Sequence, residues 1–192
     1  MTTHITTSDS KSNLGFWIYL MTDCILFASL FASFIVLRGN IFDGHVGQGL
    51  FNMPSVLLET LLLLTSSFTC GLAVLTARRN KTTAALAMLA VTFLLGAAFL
   101  GLELTEFRQF VHEGNGWQAS GFLSAFFTLV GTHGLHITIG LLWLALIGWQ
   151  IITRGLVANV VRRLTLFSLF WHFLDIIWIF IFTIVYLIGA IQ

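Results

Sequence analysis

Polar residues in this 192-residue chain are confined to short stretches, separated by five apolar runs of at least about 20 residues. The runs cover roughly 15–37, 55–77, 83–107, 121–152 and 164–190. Each is long enough to cross the hydrocarbon of a bilayer as a helix. The pattern therefore predicts an all-α polytopic membrane protein with five transmembrane helices. The fourth run is longer than one crossing needs and is expected to tilt or project beyond the lipid. Pro54 opens the second run, where its missing N–H costs nothing. Residues 1–13 are polar and rich in Thr and Ser, which predicts a disordered tail, leaving 14–192 as a single transmembrane domain. The tail lacks the short apolar core and cleavage site of a secretory signal, so the first run is expected to stay as a signal anchor. Gly39 to Asn52 is the longest connection after the tail.

Composition sharpens this picture. Apolar residues make up 57% of the chain and charged residues 9%, against about 25% charged in a soluble domain. The net charge of +1 gives no concentrated basic face, so no nucleic acid is expected as a partner. Cys24 and Cys70 fall inside apolar runs and read as small buried hydrophobes rather than a disulfide. The bases sort by side. Lys11, Arg78, Arg79, Lys81, Arg154, Arg162 and Arg163 fall on one face of the membrane, with only Arg38 and Arg108 on the other. The positive-inside rule then predicts a cytoplasmic N-terminus and, after five crossings, a C-terminus outside.

Candidate chemistry lies within the spans, where every ionisable group is an acid or a histidine. Asp23, Glu59, Glu103, Glu106, His133, His136, His172 and Asp175 sit in apolar sequence, although a charge at that depth costs several kcal/mol. His133/His136, His172/Asp175 and Glu103/Glu106 are i, i+3 pairs, each on one helix face. At a rise of about 1.5 Å per residue, Asp23, His172 and Asp175 lie roughly 12–16 Å in from their cytoplasmic helix starts. His133 and His136 lie about 20 Å in from the outer start of span four. A shared layer of Asp23, His136, His172 and Asp175 is therefore expected if spans one, four and five pack together. Glu59 and Glu103 fall closer to the outer headgroups. The small residues Gly131, Thr132 and Gly134 suit close approach of a neighbouring helix.

Several chemistries compete for these residues. Paired membrane histidines can ligate iron, copper or zinc. Carboxylates and imidazoles also serve as proton carriers, so an independent proton-coupled carrier is one reading. The plainer reading is a set of neutral or paired groups that fix helix packing. The residues alone leave relay and packing open side by side. Arg154, Arg162 and Arg163, with Trp149 and Trp171 nearby, suit anionic lipid headgroups.

Five stretches in order then carry a resemblance. They are Gly15-Phe16-Trp17-Ile18-Tyr19-Leu20-Met21-Thr22-Asp23, Leu58-Glu59-Thr60 and Glu103-Leu104-Thr105-Glu106-Phe107. The last two are Gly131-Thr132-His133-Gly134-Leu135-His136 and Trp171-His172-Phe173-Leu174-Asp175 with Trp178. With these the chain, from Leu14 to Gln192, resembles subunit III of the haem–copper terminal oxidases. Spans one and two are most similar to the five-span branch found in bacterial cytochrome o ubiquinol oxidases. Five-span cytochrome c oxidase subunits and a nitric-oxide-reductase accessory protein are the neighbouring alternatives. The resemblance implies a non-catalytic subunit, with helices splayed in a V around bound phospholipid. It implies contact chiefly with subunit I, which holds the haems and copper, and with subunits II and IV of the same complex. It implies no cofactor or metal in this chain, and support for assembly and sustained proton uptake. Asp23 matches the family's buried span-one carboxyl, where many relatives carry Glu. Glu106, His136, His172 and Asp175 match its intramembrane polar positions.

Overall fold

A computed structural model describes residues 3–37, 53–112 and 121–187. Within them the chain is helical apart from two short turns, and among the described residues there is no strand. The helices are α1 (Thr3–Leu37), α2 (Met53–Arg78), α3 (Thr82–His112), α4 (Gly121–Arg154) and α5 (Ala158–Ile181), followed by one π-helical turn, Phe182–Leu187. All five are long and apolar enough to cross a membrane. The protein is a five-span, all-α membrane protein, as the periodicity of apolar runs predicts.

Two boundaries differ from expectation. Helical backbone begins at Thr3, inside the stretch expected to be disordered, while the apolar span begins at Asn13. No Gly or Pro occurs between Thr3 and Leu14, so nothing in the sequence interrupts the helix there. Helix α5 begins at Ala158 rather than near 164, because hydropathy alone discounts its first turns, which carry Arg162 and Arg163. At 34 residues, α4 is roughly 51 Å long, well beyond one hydrocarbon thickness of about 30 Å. The Gly39–Asn52 connection and residues 188–192 lie outside the described residues.

The two described turns are tight. Asn80 takes a left-handed φ of 55°, and the N–H groups of Arg79, Asn80 and Lys81 bond the last carbonyls of α2 at 3.0–3.1 Å. Gly155, with φ 71°, ends α4 through an N–H bond of 3.0 Å to the Ile151 carbonyl. Such turns force antiparallel neighbours. Thus α2 packs on α3, α3 on α4 and α4 on α5, while α5 also packs on α2. Helix α1 lies against α4 and α5. Outward faces carry Met21, Ile25, Phe68, Leu94, Leu142 and Leu146, side chains that suit hydrocarbon or a neighbouring subunit.

Two tryptophans of α5 anchor this arrangement. Trp171 is fully buried, and a Cβ on Gly140 would stand 2.8 Å from its ring. A Cβ on Gly96 would stand 3.0 Å from the same ring. Two glycines, one on α3 and one on α4, thus form the slot that admits the indole. Its Nε1 donates to Ser66 Oγ on α2 at 2.8 Å, so one side chain ties together four helices. Trp178, about two turns further on, donates to Thr60 Oγ1 at 3.1 Å. Trp171 therefore belongs to the interior, not to the interfacial headgroup zone where its proximity to the arginines suggested it.

Candidate functional site

The intramembrane polar side chains sort into three groups, set by which helices meet. The first lies between α1 and α4. His136 donates from Nδ1 to the Thr132 carbonyl of its own helix at 2.7 Å, which puts the proton on that nitrogen and turns Nε2 outward. Nε2 then faces Asp23 Oδ2 at 3.6 Å, with both side chains largely buried. Tyr19, one turn before Asp23, lies beside the carboxyl. Phe27 closes the far side, its ring 5.3 Å from that of His136.

The second group lies between α2 and α5. Ser67 Oγ and Nδ1 of His172 are hydrogen-bonded, and the same hydroxyl faces the Asp175 carboxyl. Ser66 and Thr60, on the same helix, receive the two indole N–H groups already described. Thr69 and Thr92 join their hydroxyls at 2.8 Å between α2 and α3. His172→Leu would remove one of the two partners of Ser67, whose hydroxyl also faces Asp175, at a cost of about 0.5–1.5 kcal/mol. The expected outcome is a lower yield of assembled protein in membranes, measured by immunoblot after solubilisation. His172 itself is exposed on the side of the bundle, so normal yield and stability would show that Asp175 alone satisfies Ser67.

The third group is carboxylic. Glu59 of α2 is fully buried and Glu103 of α3 is 2% exposed, and neither makes a hydrogen bond among the described residues. Tyr186, in the π turn, donates to Glu106 Oε2 at 3.4 Å. The Glu103 carboxyl lies over Gly134 of α4, where a Cβ would stand 3.4 Å from Oε2. Beside it, His133 is fully enclosed, stacked on Trp178 with centroids 5.3 Å apart and edged by Phe99 at 6.1 Å.

The shared layer expected of Asp23, His136, His172 and Asp175 is therefore two separate pairings on different helix interfaces. Glu59 and Glu103 do not reach for headgroups; they point into the bundle. Gly134 gives room to a carboxyl of α3 rather than to a backbone. Cys70 is buried as expected, but Cys24 is exposed, and both are free thiols. Sequence reasoning passed over Ser66, Ser67 and Tyr186, and named Thr60 only within the Leu58-Glu59-Thr60 stretch. The available signal was a run of hydroxyl residues on one span facing Trp171 and Trp178, seven residues apart on another. Of the arginines, Arg163 bonds Gln150 Oε1 at 3.0 Å, while Arg162 lies with Arg78 of α2 at the mouth of a cavity.

Among the described residues, no three His, Cys, Asp or Glu side chains converge as a metal-ligand set. The three intramembrane imidazoles are instead committed to separate neighbours, and the faces of His133 are covered by aromatic rings. What this arrangement can do chemically is hold protons at fixed positions and lock helices together.

Comparison with known proteins follows the same direction. Residues 1–190 match the family described as Cytochrome c oxidase subunit III. Cytochrome bo(3) ubiquinol oxidase subunit 3 of Pseudomonas aeruginosa is 53% identical over 188 residues, covering 98% of this chain and 90% of the relative. Quinol oxidase subunit 3 of Bacillus subtilis is 47% identical, covering 92% and 86%. Cytochrome c oxidase subunit 3 of Bacillus sp. (strain PS3) is 44% identical, covering 93% and 86%.

Proposed function

The chain belongs to the cytochrome c oxidase subunit III family, and on that footing we propose that it is the third subunit of a proton-translocating ubiquinol oxidase. The carrying observation is 53% identity over 98% of the chain to a relative named for that role. The protein sits in a bacterial inner membrane with its N-terminus in the cytoplasm. Its principal partner is subunit I, with subunits II and IV in the same assembly. Haems and copper, and with them oxygen reduction, reside in subunit I.

This subunit holds no active site of its own. Its buried groups act on packing and on proton supply: Asp23 with His136 on one interface, Ser67 with His172 and Asp175 on another, and Glu59, Glu103 and Glu106 toward the outer side. The commitment of the imidazoles to neighbouring helices supports a non-catalytic role. A second reading, with cytochrome c as electron donor, is favoured by the 44% identical relative named cytochrome c oxidase subunit 3.

The deciding experiment is isolation of the native complex through a tag on this chain, followed by its optical spectrum and its turnover with ubiquinol and with cytochrome c. The complex is expected to oxidise ubiquinol and the separated subunit to show no haem bands. Turnover with cytochrome c alone would transfer the assignment to the second reading, and a stoichiometric haem signal in the separated subunit would overturn both. Within that complex, Asp23→Asn keeps an uncharged polar group against His136. Assembly and the initial rate of oxygen reduction are expected to survive, with any loss appearing in sustained turnover or in protons pumped per electron. Complete loss of oxygen reduction in an assembled Asp23→Asn complex would place the chemistry in this chain.

A further inference from the structure

A cavity of about 370 Å³ lies between α3 and α4, in the half of the bundle remote from the basic turns. Its volume falls within the range of about 300–1,000 Å³ found for small-molecule sites. Leu100, Glu103 and Phe107 line it from α3, and Gly131, Gly134 and Thr138 from α4. Leu104 and Leu135 at its rim are exposed on the outward face, so it opens sideways into hydrocarbon rather than into water. Glu103 stands six residues before Gln109, where the apolar span ends, which puts it roughly 9 Å below that end.

The cavity is shaped as a slot. Gly131 and Gly134, one turn apart, leave a bare strip along α4, and a Cβ on Gly131 would stand 3.8 Å from the Phe107 ring. A flat body fits between that ring and the strip. The polar groups are few and are all acceptors. Glu103 is 2% exposed, and neither of its carboxyl oxygens has a hydrogen-bond partner among the described residues. Its charged neighbours are two further acids, Glu59 and Glu106. Thr138 donates its hydroxyl to the Gly134 carbonyl at 2.9 Å, which leaves lone pairs on Oγ1 to accept. The Glu103 carboxyl lies over Gly134, so Thr138 follows it by one turn, roughly 6 Å along the axis of α4.

This arrangement discriminates among membrane ligands. A phosphate or carboxylate head would meet three acids and no base. A cationic head would have to leave water for hydrocarbon depth, at a cost of several kcal/mol. A neutral ring with hydroxyls at opposite edges carries no charge, supplies a donor to each acceptor and lays its face on the glycine strip.

We propose that this slot binds one quinol, with one hydroxyl donating to the Glu103 carboxyl and the other to Thr138 Oγ1. The ring lies between Phe107 and the glycine strip, and the tail leaves past Leu104 and Leu135. The slot is a holding site, in which no bond is made or broken. The identity of the quinol as ubiquinol rests on the subunit assignment proposed above; the slot itself does not.

The test is photolabelling of the native complex with a short-tailed ubiquinol that carries a diazirine on the tail next to the ring, followed by peptide mapping. Adducts are expected on residues 100–107 and 131–138. Unlabelled ubiquinol should suppress them, and its dimethyl ether, which lacks both donors, should not. Thr138→Val is expected to weaken binding about fivefold and Glu103→Leu about twentyfold, the usual worth of a hydrogen bond to a hydroxyl and to a carboxylate. Gly134→Leu fills the slot and is expected to abolish the adducts. Should these variants fail to assemble, the competition on the wild-type complex still decides. Adducts confined to other subunits or scattered over the outward faces, equal suppression by the dimethyl ether, or unchanged labelling in assembled Glu103→Leu and Gly134→Leu complexes would each overturn the proposal. Turnover of the same preparation separates the two readings. Ubiquinol oxidation without adducts here would sink the slot alone, and adducts here with turnover only on cytochrome c would sink the donor assignment alone.

Discussion

Trp171→Ala is expected to destabilise the bundle by about 3–5 kcal/mol, the largest single effect among the interior positions. The indole fills a slot between Gly96 and Gly140 and donates to Ser66, so its loss removes contacts to α2, α3 and α4 at once. In a bilayer, helices gain little from exclusion of water, and association depends on close van der Waals fit and interhelical hydrogen bonds. An emptied slot therefore cannot be compensated by hydrophobic collapse. Thermal unfolding of the solubilised complex, followed by loss of this subunit, measures the effect. Trp171→Phe should recover most of the packing while leaving Ser66 without its donor, a residual deficit of about 0.5–1.5 kcal/mol. Gly140→Leu, approaching the same slot from the other wall, should be as damaging as Trp171→Ala. If Gly140→Leu unfolds at the wild-type temperature, the slot is not what holds α4 and α5 together.

His136→Leu comes second, at about 1–3 kcal/mol, the cost of leaving a buried polar group without its partner. Asp23 would then face an alkyl group across the α1–α4 interface, and α1, which packs only on α4 and α5 among its larger contacts, would be the helix to loosen. The double variant Asp23→Leu/His136→Leu removes both polar groups and should recover much of the loss. The coupling energy of that cycle is expected between about 0.5 and 3 kcal/mol. Protease sensitivity of α1 in the assembled complex gives an independent readout. Strict additivity of the two single variants would mean that the 3.6 Å approach carries no interaction.

The architecture was open to inspection in the sequence because hydrocarbon imposes a crude rule: each crossing must be long, apolar and helical. Five runs met that rule, and five such helices stand among the described residues. The ends were less legible where polar residues are tolerated at the membrane surface, which is why α5 starts six residues before its apolar run. The depth of each ionisable group followed from counting residues, but its neighbour did not. Asp23 and His172 lie at similar depths, yet one meets α4 and the other α2, and only the rotation of each helix decides this. Glu59 and Glu103 were misjudged for the same reason, since nearness to an outer end says nothing about facing inward. Ser66 and Ser67 were passed over because hydroxyls in a span ordinarily bond their own backbone, as Thr65 does with Leu61 at 2.7 Å.

The widened turn at Phe182–Leu187 fixes an angular phase. In an unbroken α-helix, Tyr186 would be rotated about 80° away from Trp178, eight residues earlier. The extra residue accommodated by the π turn absorbs that offset and brings the phenol round to Glu106. Shortening the chain by one residue anywhere within 182–185 would let the segment rewind as ordinary helix and carry the phenol off the axis of the acids. A tyrosine hydroxyl beside Glu106 thus depends on chain length at that point, so the segment should tolerate exchange of one apolar side chain for another far better than it tolerates a deletion.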